Sequence, residues 1–274
     1  EFRRVLFRSV RLFDEFNKAW LADPEPAVDF IHGFIEVYGD PLGIKGAYEG
    51  LVMVRDPDAT NKFGQLGKAA AWFEEHAPFM PAHKKSKPQG IRYNVVNVVA
   101  EAGDASPTTP IGINLPNADW MRARYGSKSV SLANIESAYH EVAKDDGTLD
   151  EFFLPGQAKR IRNYGKLASR LFVGLHEVIG HGSGQLERGV ASPAETLKNY
   201  ANVIEETRAD LVALYFLPHT HLETLGLTDN ATETGRAAYD EYIMNGLMVQ
   251  LKRIAPGQAL EEAHMRNRQL IAAY

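Results

Sequence analysis

The sequence predicts an α+β fold in which helices dominate the C-terminal half. Residues 27–55 are rich in β-branched and aromatic residues interrupted by a glycine- and proline-containing turn, a pattern that is typical of strands. Strand character returns at residues 91–100 and 111–115. From Leu132 onward, apolar residues recur mostly at helical spacing. The sequence thus places its strands early in the chain and most of its helices later.

One helical segment interrupts the predicted strands. Residues 59–76 place Phe63, Leu66 and Phe73 at helical spacing, and Pro78 ends this pattern. Strand-rich and helical stretches therefore alternate before residue 132. This order predicts two bodies whose segments interleave along the chain.

The composition is that of an ordinary globular protein, and it argues against several functions. The sequence is 45% hydrophobic and 24% charged, and its net charge of −5 argues against nucleic-acid and anionic-membrane partners. The absence of cysteine excludes disulfides, thiol chemistry and thiolate metal ligands. No apolar run approaches the roughly 20 residues that span a bilayer, and the first residues lack a signal-peptide core. We therefore expect a cytoplasmic protein.

Residues 174–184 carry the strongest functional signal. Their sequence, Gly-Leu-His-Glu-Val-Ile-Gly-His-Gly-Ser-Gly, is close to the H-E-x-x-H motif of zinc peptidases, in which a glutamate beside the first histidine is the general base. Here Gly180 adds one residue before His181. A step of five residues rotates two helical side chains by roughly 140°, whereas a step of four rotates them by roughly 40°. The chain must absorb the extra residue, most simply as a π-bulge, and glycine tolerates such distortion best.

A second acidic motif follows the first. Residues 205–210 read Glu-Glu-Thr-Arg-Ala-Asp, within a predicted amphipathic helix from about residue 195 to 217. Glu206 and Asp210 are four residues apart and share one helix face. Carboxylates on an apolar face are costly to bury without a partner, and a metal with its histidine ligands is a suitable partner. Two histidines and one carboxylate are a ligand set of catalytic zinc that leaves a fourth position for water.

Together, these two motifs resemble the paired signatures of the dipeptidyl peptidase III family of zinc exopeptidases. Four further segments are similar to that family and occur in the same order: 33–41, 112–117, 130–134 and 263–268. The resemblance covers most of residues 25–274. It implies a two-lobed protein with a β-rich lower lobe, a helical zinc-binding upper lobe and a substrate cleft between them. The expected lower lobe comprises residues 10–50 and 91–131, and the expected upper lobe comprises residues 51–90 and 132–274.

The resemblance also implies a metal site. It assigns one zinc ion per chain to three ligands: His176, His181 and Glu206. Glu177 is expected to take a proton from the zinc-bound water and later to pass it to the leaving amine. Glu205 and Asp210 would orient the two histidines through their free ring nitrogens.

The implied substrate-binding residues come from other parts of the chain. His264 matches a histidine that helps to stabilise the oxyanion, and Arg268 lies one turn later on the same helix face. Asn114 and Asn117 match positions that contact the N-terminal portion of the substrate. By its offset from the 33–41 motif, Asp29 best fits an anchor for the substrate amine. These assignments have alternatives. Asn114 and Asn117 could simply form a turn, as asparagines beside proline commonly do, and His264 and Arg268 could face solvent on a helix.

The expected function is that of a zinc exopeptidase that releases dipeptides from the N-termini of short peptides. A zinc aminopeptidase or oligopeptidase with a different cleavage register remains an alternative, as does a zinc-binding fragment that does not turn over. Family members extend further at both ends, so we interpret the chain as a fragment of a bacterial member. Residues 1–9 match the translation of a cloning site and a sequencing adapter, and we interpret them as non-native. The oligomeric state is not determined by these patterns.

Overall fold

The structure is a computed structural model. It describes residues 10–36, 47–87, 92–106, 109–116, 119–145, 147–249, 254–258 and 263–274. Two of the expectations above lie outside the described residues: the role of Asn117 and the interpretation of residues 1–9. The described residues contain both helices and a sheet, with the strands before residue 133 and mostly helices after it, so the predicted α+β class is confirmed.

The strands form one mixed sheet. Its members are β1 (Val28–Glu36), β2 (Ala47–Arg55), β3 (Arg92–Gly103), β4 (Gly112–Leu115) and β5 (Lys128–Leu132), arranged in the order β1-β2-β3-β5-β4. Neighbouring strands are antiparallel except for β3 and β5, which are parallel. β2 continues to Arg55.

Five helices of the described residues precede the last strand in the chain. They are α1 (Val10–Ala22), α2 (Pro57–Phe63), α3 (Gln65–Lys68), α4 (Ala70–His76) and α5 (Asp119–Tyr125), with a 3-10 turn at Pro81–His83. The predicted helix over residues 59–76 is therefore divided into three pieces. Asp56 starts the first piece, because its side chain accepts a hydrogen bond from the Ala59 backbone N–H and Pro57 is suited to the first helical position.

After Leu132 the described residues are largely helical. The helices are α6 (Ala133–Asp145), α7 (Thr148–Phe152), α8 (Pro155–Gly174), α9 (Pro193–Thr196), α10 (Ala201–Phe216), α11 (His221–Thr224), α12 (Ala231–Met244) and α13 (Ala263–Ala273). Two π-helical segments continue α8 and α12, at Leu175–Gly180 and Asn245–Val249, and a 3-10 turn spans Lys198–Tyr200. Among the described residues, we find no helix with the length and apolar character that crossing a membrane requires.

Two apolar cores hold these elements in place. The larger core packs α4, α8, the first π-helix and α10 together, and Phe73, Leu171, Leu175 and Phe216 are fully buried in it. The smaller core lies against the sheet and includes Met53. Burial of one such side chain stabilises the fold by about 1.5–3 kcal/mol. The buried apolar residues of the π-helix therefore hold it in place, and this fixes the backbone that carries His176 and Glu177.

A cluster of imidazoles surrounds Trp72 on α4. The rings of His76 and His221 stack on the indole at centroid distances of 4.0 and 3.6 Å, and His219 meets it edge-on at 5.0 Å. The Nε2 atom of His221 is buried and has no hydrogen-bond partner among the described residues. Burial lowers the pKa of His221, and the nearby His219 and His76 lower it further.

Acidification is expected to destabilise the protein through this cluster. Because the pKa of His221 is lowered in the folded state, its contribution to stability is complete above the unfolded value of about 6.5 and is lost as the pH falls through the lower folded value. Urea unfolding of the wild type and of His221→Gln, at about pH 7.5 and about pH 5, measures this contribution. The variant should lose less unfolding free energy between the two pH values than the wild type does. An equal loss in both proteins would show that His221 is not involved.

Candidate metal centre

The two histidines of the first motif lie at the two ends of a π-helical turn. Residues Leu175–Gly180 continue α8 as a π-helix, and the His181 backbone N–H donates to the carbonyl oxygen of His176 at 3.0 Å. This bond spans five residues, so the wider turn absorbs the extra residue of the motif. The ring centroids of His176 and His181 are 4.7 Å apart. The predicted π-bulge is therefore confirmed, and it brings the two rings together.

Gly180 is required here for close packing. Its backbone is not in the left-handed conformation, and a Cβ atom at this position would lie 2.7 Å from the Cα atom of Ala209 on α10. Real Cβ atoms do not approach another atom so closely. The missing side chain therefore lets α10 contact the π-helix, which brings the second motif next to the first. The sequence had indicated only the tolerance of glycine for helix distortion.

Glu206 reaches both histidines from α10. Its Oε2 atom lies 3.3 Å from His176 Nε2 and 3.8 Å from His181 Nε2. Among the described residues, these three form the one group of histidines and acids whose ligand atoms all lie within 4.8 Å of one another. Two ligand atoms that each lie about 2.0–2.1 Å from a tetrahedral metal are separated by about 3.3–3.4 Å. The arrangement therefore fits a metal ion of the size of zinc.

The opposite ring nitrogens of the two histidines contact carboxylates. His176 Nδ1 lies 2.6 Å from Asp210 Oδ1, and His181 Nδ1 lies 2.8 Å from Glu205 Oε1. A carboxylate at Nδ1 favours the tautomer that carries its proton there, because only that form can donate to it. The Nε2 lone pair of each ring is then directed to the side where Glu206 lies. The structure thus brings together all five residues that the two motifs contribute to the expected metal site.

The electrostatics of the centre are those of a cation-binding site. Burial by itself would raise the pKa values of its three carboxyl groups, but the imidazoles beside them, together with Arg208 at Glu205 and with Arg268 and Tyr242 at Asp210, have the larger combined effect. The pKa of Glu205 falls to about 2, and the pKa values of Glu206 and Asp210 also fall below their ordinary range. Burial lowers the pKa of His176, but Asp210 and Glu206 outweigh burial and raise it well above its ordinary value. A raised pKa means that the His176 ring holds a second proton. A divalent cation would replace that proton, so metal binding is expected to release protons.

Asp210 is held by two residues that the sequence did not identify. Tyr242 OH donates to Asp210 Oδ2 at 2.6 Å, and Asn267 Nδ2 donates to the same oxygen at 2.9 Å. All three side chains are buried. Asn267 lies three residues after His264 on α13, so helical spacing would have placed the two on one face. No sequence pattern pointed to Tyr242.

His264 also reaches the centre. Its Nε2 atom lies 3.3 Å from Glu206 Oε2, and its side chain is 38% exposed, whereas that of Glu206 is 6% exposed. His264 therefore stands at the more open side of the centre.

The side chain of Glu177 extends from the π-helix to β4 of the sheet. A Cβ atom on Gly112 would lie 3.0 Å from Glu177 Oε1, so β4 passes directly beside this carboxylate. Asn114, also on β4, donates through Nδ2 to Ser129 Oγ at 2.6 Å and to the main-chain oxygen of Glu177 at 3.3 Å. The structure thus places Asn114 next to Glu177, and it commits the Asn114 amide donor to contacts within the protein.

Asp29 does not have the surroundings of an amine anchor. Its carboxylate is buried, with Oδ2 accepting from Lys128 Nζ at 2.8 Å and Oδ1 accepting from Trp20 Nε1 at 2.8 Å. Lys128 already supplies the ammonium partner that a substrate amine would have to replace. Both carboxylate oxygens are therefore engaged within the protein, and the role of Asp29 as an amine anchor stays a prediction.

Arg268 is engaged on α13. It donates through Nη1 to Asn245 Oδ1 at 2.8 Å, and its guanidinium lies 6.0 Å from the ring centroid of Tyr242. These partners belong to the protein itself. We therefore leave Arg268 and Asp29 out of the substrate site that we propose below.

Comparison with known proteins is consistent with this geometry. The family model described as peptidase family M49 matches residues 7–192, a span that contains His176 and His181. Dipeptidyl peptidase 3 of Homo sapiens is 31% identical over 248 residues, which cover 80% of this chain and 33% of the human protein. Dipeptidyl peptidase 3 of Dictyostelium discoideum is 29% identical over 296 residues, which cover 92% of this chain and 41% of that protein.

A solved structure shares the fold. The structure of dipeptidyl-peptidase III from Corallococcus sp. strain EGB matches with a TM-score of 0.75 and 26% sequence identity. The match covers 93% of this chain and 46% of that chain. The chain therefore spans less than half the length of each of these three relatives.

Two adjacent glutamates should differ in their effect on metal binding. Glu206→Ala removes the carboxylate that faces both Nε2 atoms, and it should weaken zinc binding by more than about 100-fold. Glu205→Ala removes only the support of His181 and should weaken binding by about 10- to 100-fold, less than Glu206→Ala does. Elemental mass spectrometry and competition with a chelator measure both effects. Equal losses in the two variants would contradict this ligand assignment.

Gly180→Ala should separate the two motifs. The new Cβ atom would overlap with the α10 backbone at Ala209, and overpacking of this kind costs about 1–3 kcal/mol of unfolding free energy. Zinc affinity should fall as well, because Glu206 moves with α10. Gly156→Ala on α8 is the matched control: its Cβ atom would enter open space, and replacing a helical glycine stabilises by up to about 1 kcal/mol. Urea unfolding should therefore show opposite changes in the two variants.

Proposed function

The chain belongs to peptidase family M49, and we propose that it carries the zinc centre of an exopeptidase that releases dipeptides from the N-termini of short peptides. The observation that carries this proposal is the convergence of His176 Nε2 and His181 Nε2 on Glu206 Oε2, with a carboxylate behind each histidine. The relatives named dipeptidyl peptidase 3 support the reaction and the substrate class.

Zinc is the metal that this ligand set favours. Two imidazoles and one carboxylate suit a borderline-soft ion in a tetrahedral site, and they leave one position for water or for the substrate carbonyl. The sequence contains no cysteine, so thiolate ligands do not compete. When bound, zinc would acidify its water and polarise the scissile carbonyl.

We assign the proton transfers to Glu177. It is the general base that takes a proton from the attacking water, and as the conjugate acid it gives that proton to the leaving amine. β4 lies against its carboxylate, and Asn114 donates to its main-chain oxygen. We therefore assign Asn114 the role of positioning Glu177, in addition to the substrate contact that the family resemblance implies.

His264 is suited to the carbonyl oxygen of the substrate. It lies on the exposed side of Glu206, where a peptide can approach the centre. As the peptide carbonyl gains negative charge, a donor placed there lowers the barrier by a few kcal/mol, about the cost of losing one oxyanion donor in other hydrolases.

A second candidate function is zinc binding without turnover. The chain spans 46% of the length of the Corallococcus protein, and a part of an enzyme that is tested alone can bind its metal and still position the substrate poorly. A misplacement of about 1 Å can reduce a rate about 100-fold.

Cleavage of a hexapeptide by the zinc-loaded chain tests both candidates. Mass spectrometry of the first products should show a dipeptide from the N-terminus and the remaining tetrapeptide. Release of a single amino acid would indicate an aminopeptidase instead, and an internal cut would indicate an oligopeptidase. Full zinc occupancy without cleavage would support the second candidate.

Glu177→Gln is the control for the chemistry. The amide has nearly the same shape but cannot accept the proton, so kcat should fall by about 10²- to 10⁴-fold while zinc occupancy stays unchanged. Unchanged cleavage in this variant would contradict the role of Glu177 as the general base.

A further inference from the structure

Arg208 makes four hydrogen bonds at the centre, although the sequence had assigned it no role. Two go to the carboxylate of Glu205, from Nη2 to Oε1 at 2.6 Å and from Nε to Oε2 at 3.0 Å. The other two run from Nη1 to the main-chain oxygens of Gly180 at 2.7 Å and of Ser183 at 3.1 Å. One guanidinium thus connects the second motif to the end of the first.

The carbonyl contacts are located where the π-helix ends. Carbonyl groups in the last turn of a helix lack donors within that helix, and cationic side chains stabilise them. Gly180 directly precedes His181 in the chain. Because Arg208 holds the Gly180 carbonyl, it restrains the backbone from which His181 extends.

The carboxylate contacts restrain the ring of the same histidine. Glu205 Oε1 lies 2.8 Å from His181 Nδ1 and also accepts from Arg208 Nη2. The orientation of this carboxylate sets the orientation of the imidazole. Arg208 therefore restrains His181 twice, through its backbone and through its ring.

His176, the other histidine of the centre, is supported by a buried carboxylate rather than by a partly exposed one. Its partner Asp210 is 2% exposed in its side chain and is held by Tyr242 and Asn267, whereas the side chain of Glu205 is 38% exposed. A carboxylate that is exposed to this extent can turn towards water unless another group holds it. Arg208 holds the carboxylate of Glu205 by hydrogen bonds, as Tyr242 and Asn267 hold the carboxylate of Asp210.

We propose that Arg208 is a positioning residue that holds His181 in place for metal binding by fastening Glu205 to the end of the π-helix. This inference rests on the metal centre of the proposed function, but its test does not require turnover of a peptide. Lysine can replace arginine only in part, because one ammonium group cannot make the planar, two-sided set of bonds.

The test compares zinc affinities by competition with a chromophoric chelator. Arg208→Met should bind zinc about 10- to 100-fold more weakly than the wild type, and Arg208→Lys should recover only part of this loss. Arg236→Lys is the matched control. Arg236 also pairs with a glutamate three residues earlier on a helix, at 2.8 Å from Glu233, but its side chain is 62% exposed and does not contact the metal centre. Its replacement should leave the affinity within about twofold of wild type, as surface pairs contribute little.

A double-mutant cycle separates positioning from a general loss of structure. If Arg208 acts through Glu205, then Arg208→Met should weaken zinc binding much less in a Glu205→Gln background than in the wild type. The visible absorption of the cobalt-substituted protein should also change in Arg208→Met, because it reports the geometry of the ligands. Independent, multiplicative losses in the cycle would overturn the proposal, as would wild-type zinc affinity in Arg208→Met. Zinc binding that depends on Arg208 without peptide cleavage would contradict only the proposed function.

Discussion

The structure of the centre depends on one constraint: two histidines that are five positions apart in the sequence must turn their rings to the same side. In an α-helix this spacing would turn the second ring away from the first. The hydrogen bond from the His181 N–H to the His176 carbonyl widens the turn, and the buried apolar residues of the π-helix hold it in place. Gly180 then allows α10 to come close enough for Glu206 to face both rings. The metal site, its carboxylate supports and the Arg208 contacts all follow from this widened turn.

A second constraint is the cost of placing several acidic groups in one largely buried region. Glu206 and Asp210 are almost fully buried, and neither carboxylate could remain ionised there without cationic or hydrogen-bonding partners. The imidazoles provide these partners, which is why the carboxyl pKa values fall despite burial. A metal ion would take over part of that role, since it neutralises the carboxylates and needs neutral imidazoles. The same charges that define the site therefore also couple its occupancy to pH.

The centre is assembled from parts that are far apart in the chain. The π-helix and α10 contribute the ligand set, β4 and β5 support Glu177 through Asn114 and Ser129, and α13 contributes His264 and Asn267. The sheet thus contacts the π-helix at Glu177, and α13 contacts α10 at Glu206 and Asp210. This arrangement explains why the strand region and the helical region must both be folded for the proposed chemistry, even though the metal ligands themselves come from two neighbouring helical segments.

The sequence by itself determined the features that depend on local spacing. The α+β class, the π-bulge and the sharing of one helix face by Glu206 and Asp210 follow from spacing along the chain, and the structure agrees with each, since both carboxylates contact His176. Tertiary structure decided which charged residues have partners. From the sequence, Asp29 is a candidate amine anchor, but in the structure its carboxylate accepts a hydrogen bond from Lys128, which is distant in the chain. From the sequence, Arg208 is a solvated charge, but in the structure it donates to a carbonyl at the end of the π-helix. The physical reason is that helical and strand spacing is set by the backbone alone, whereas burial and pairing depend on which distant segments pack together.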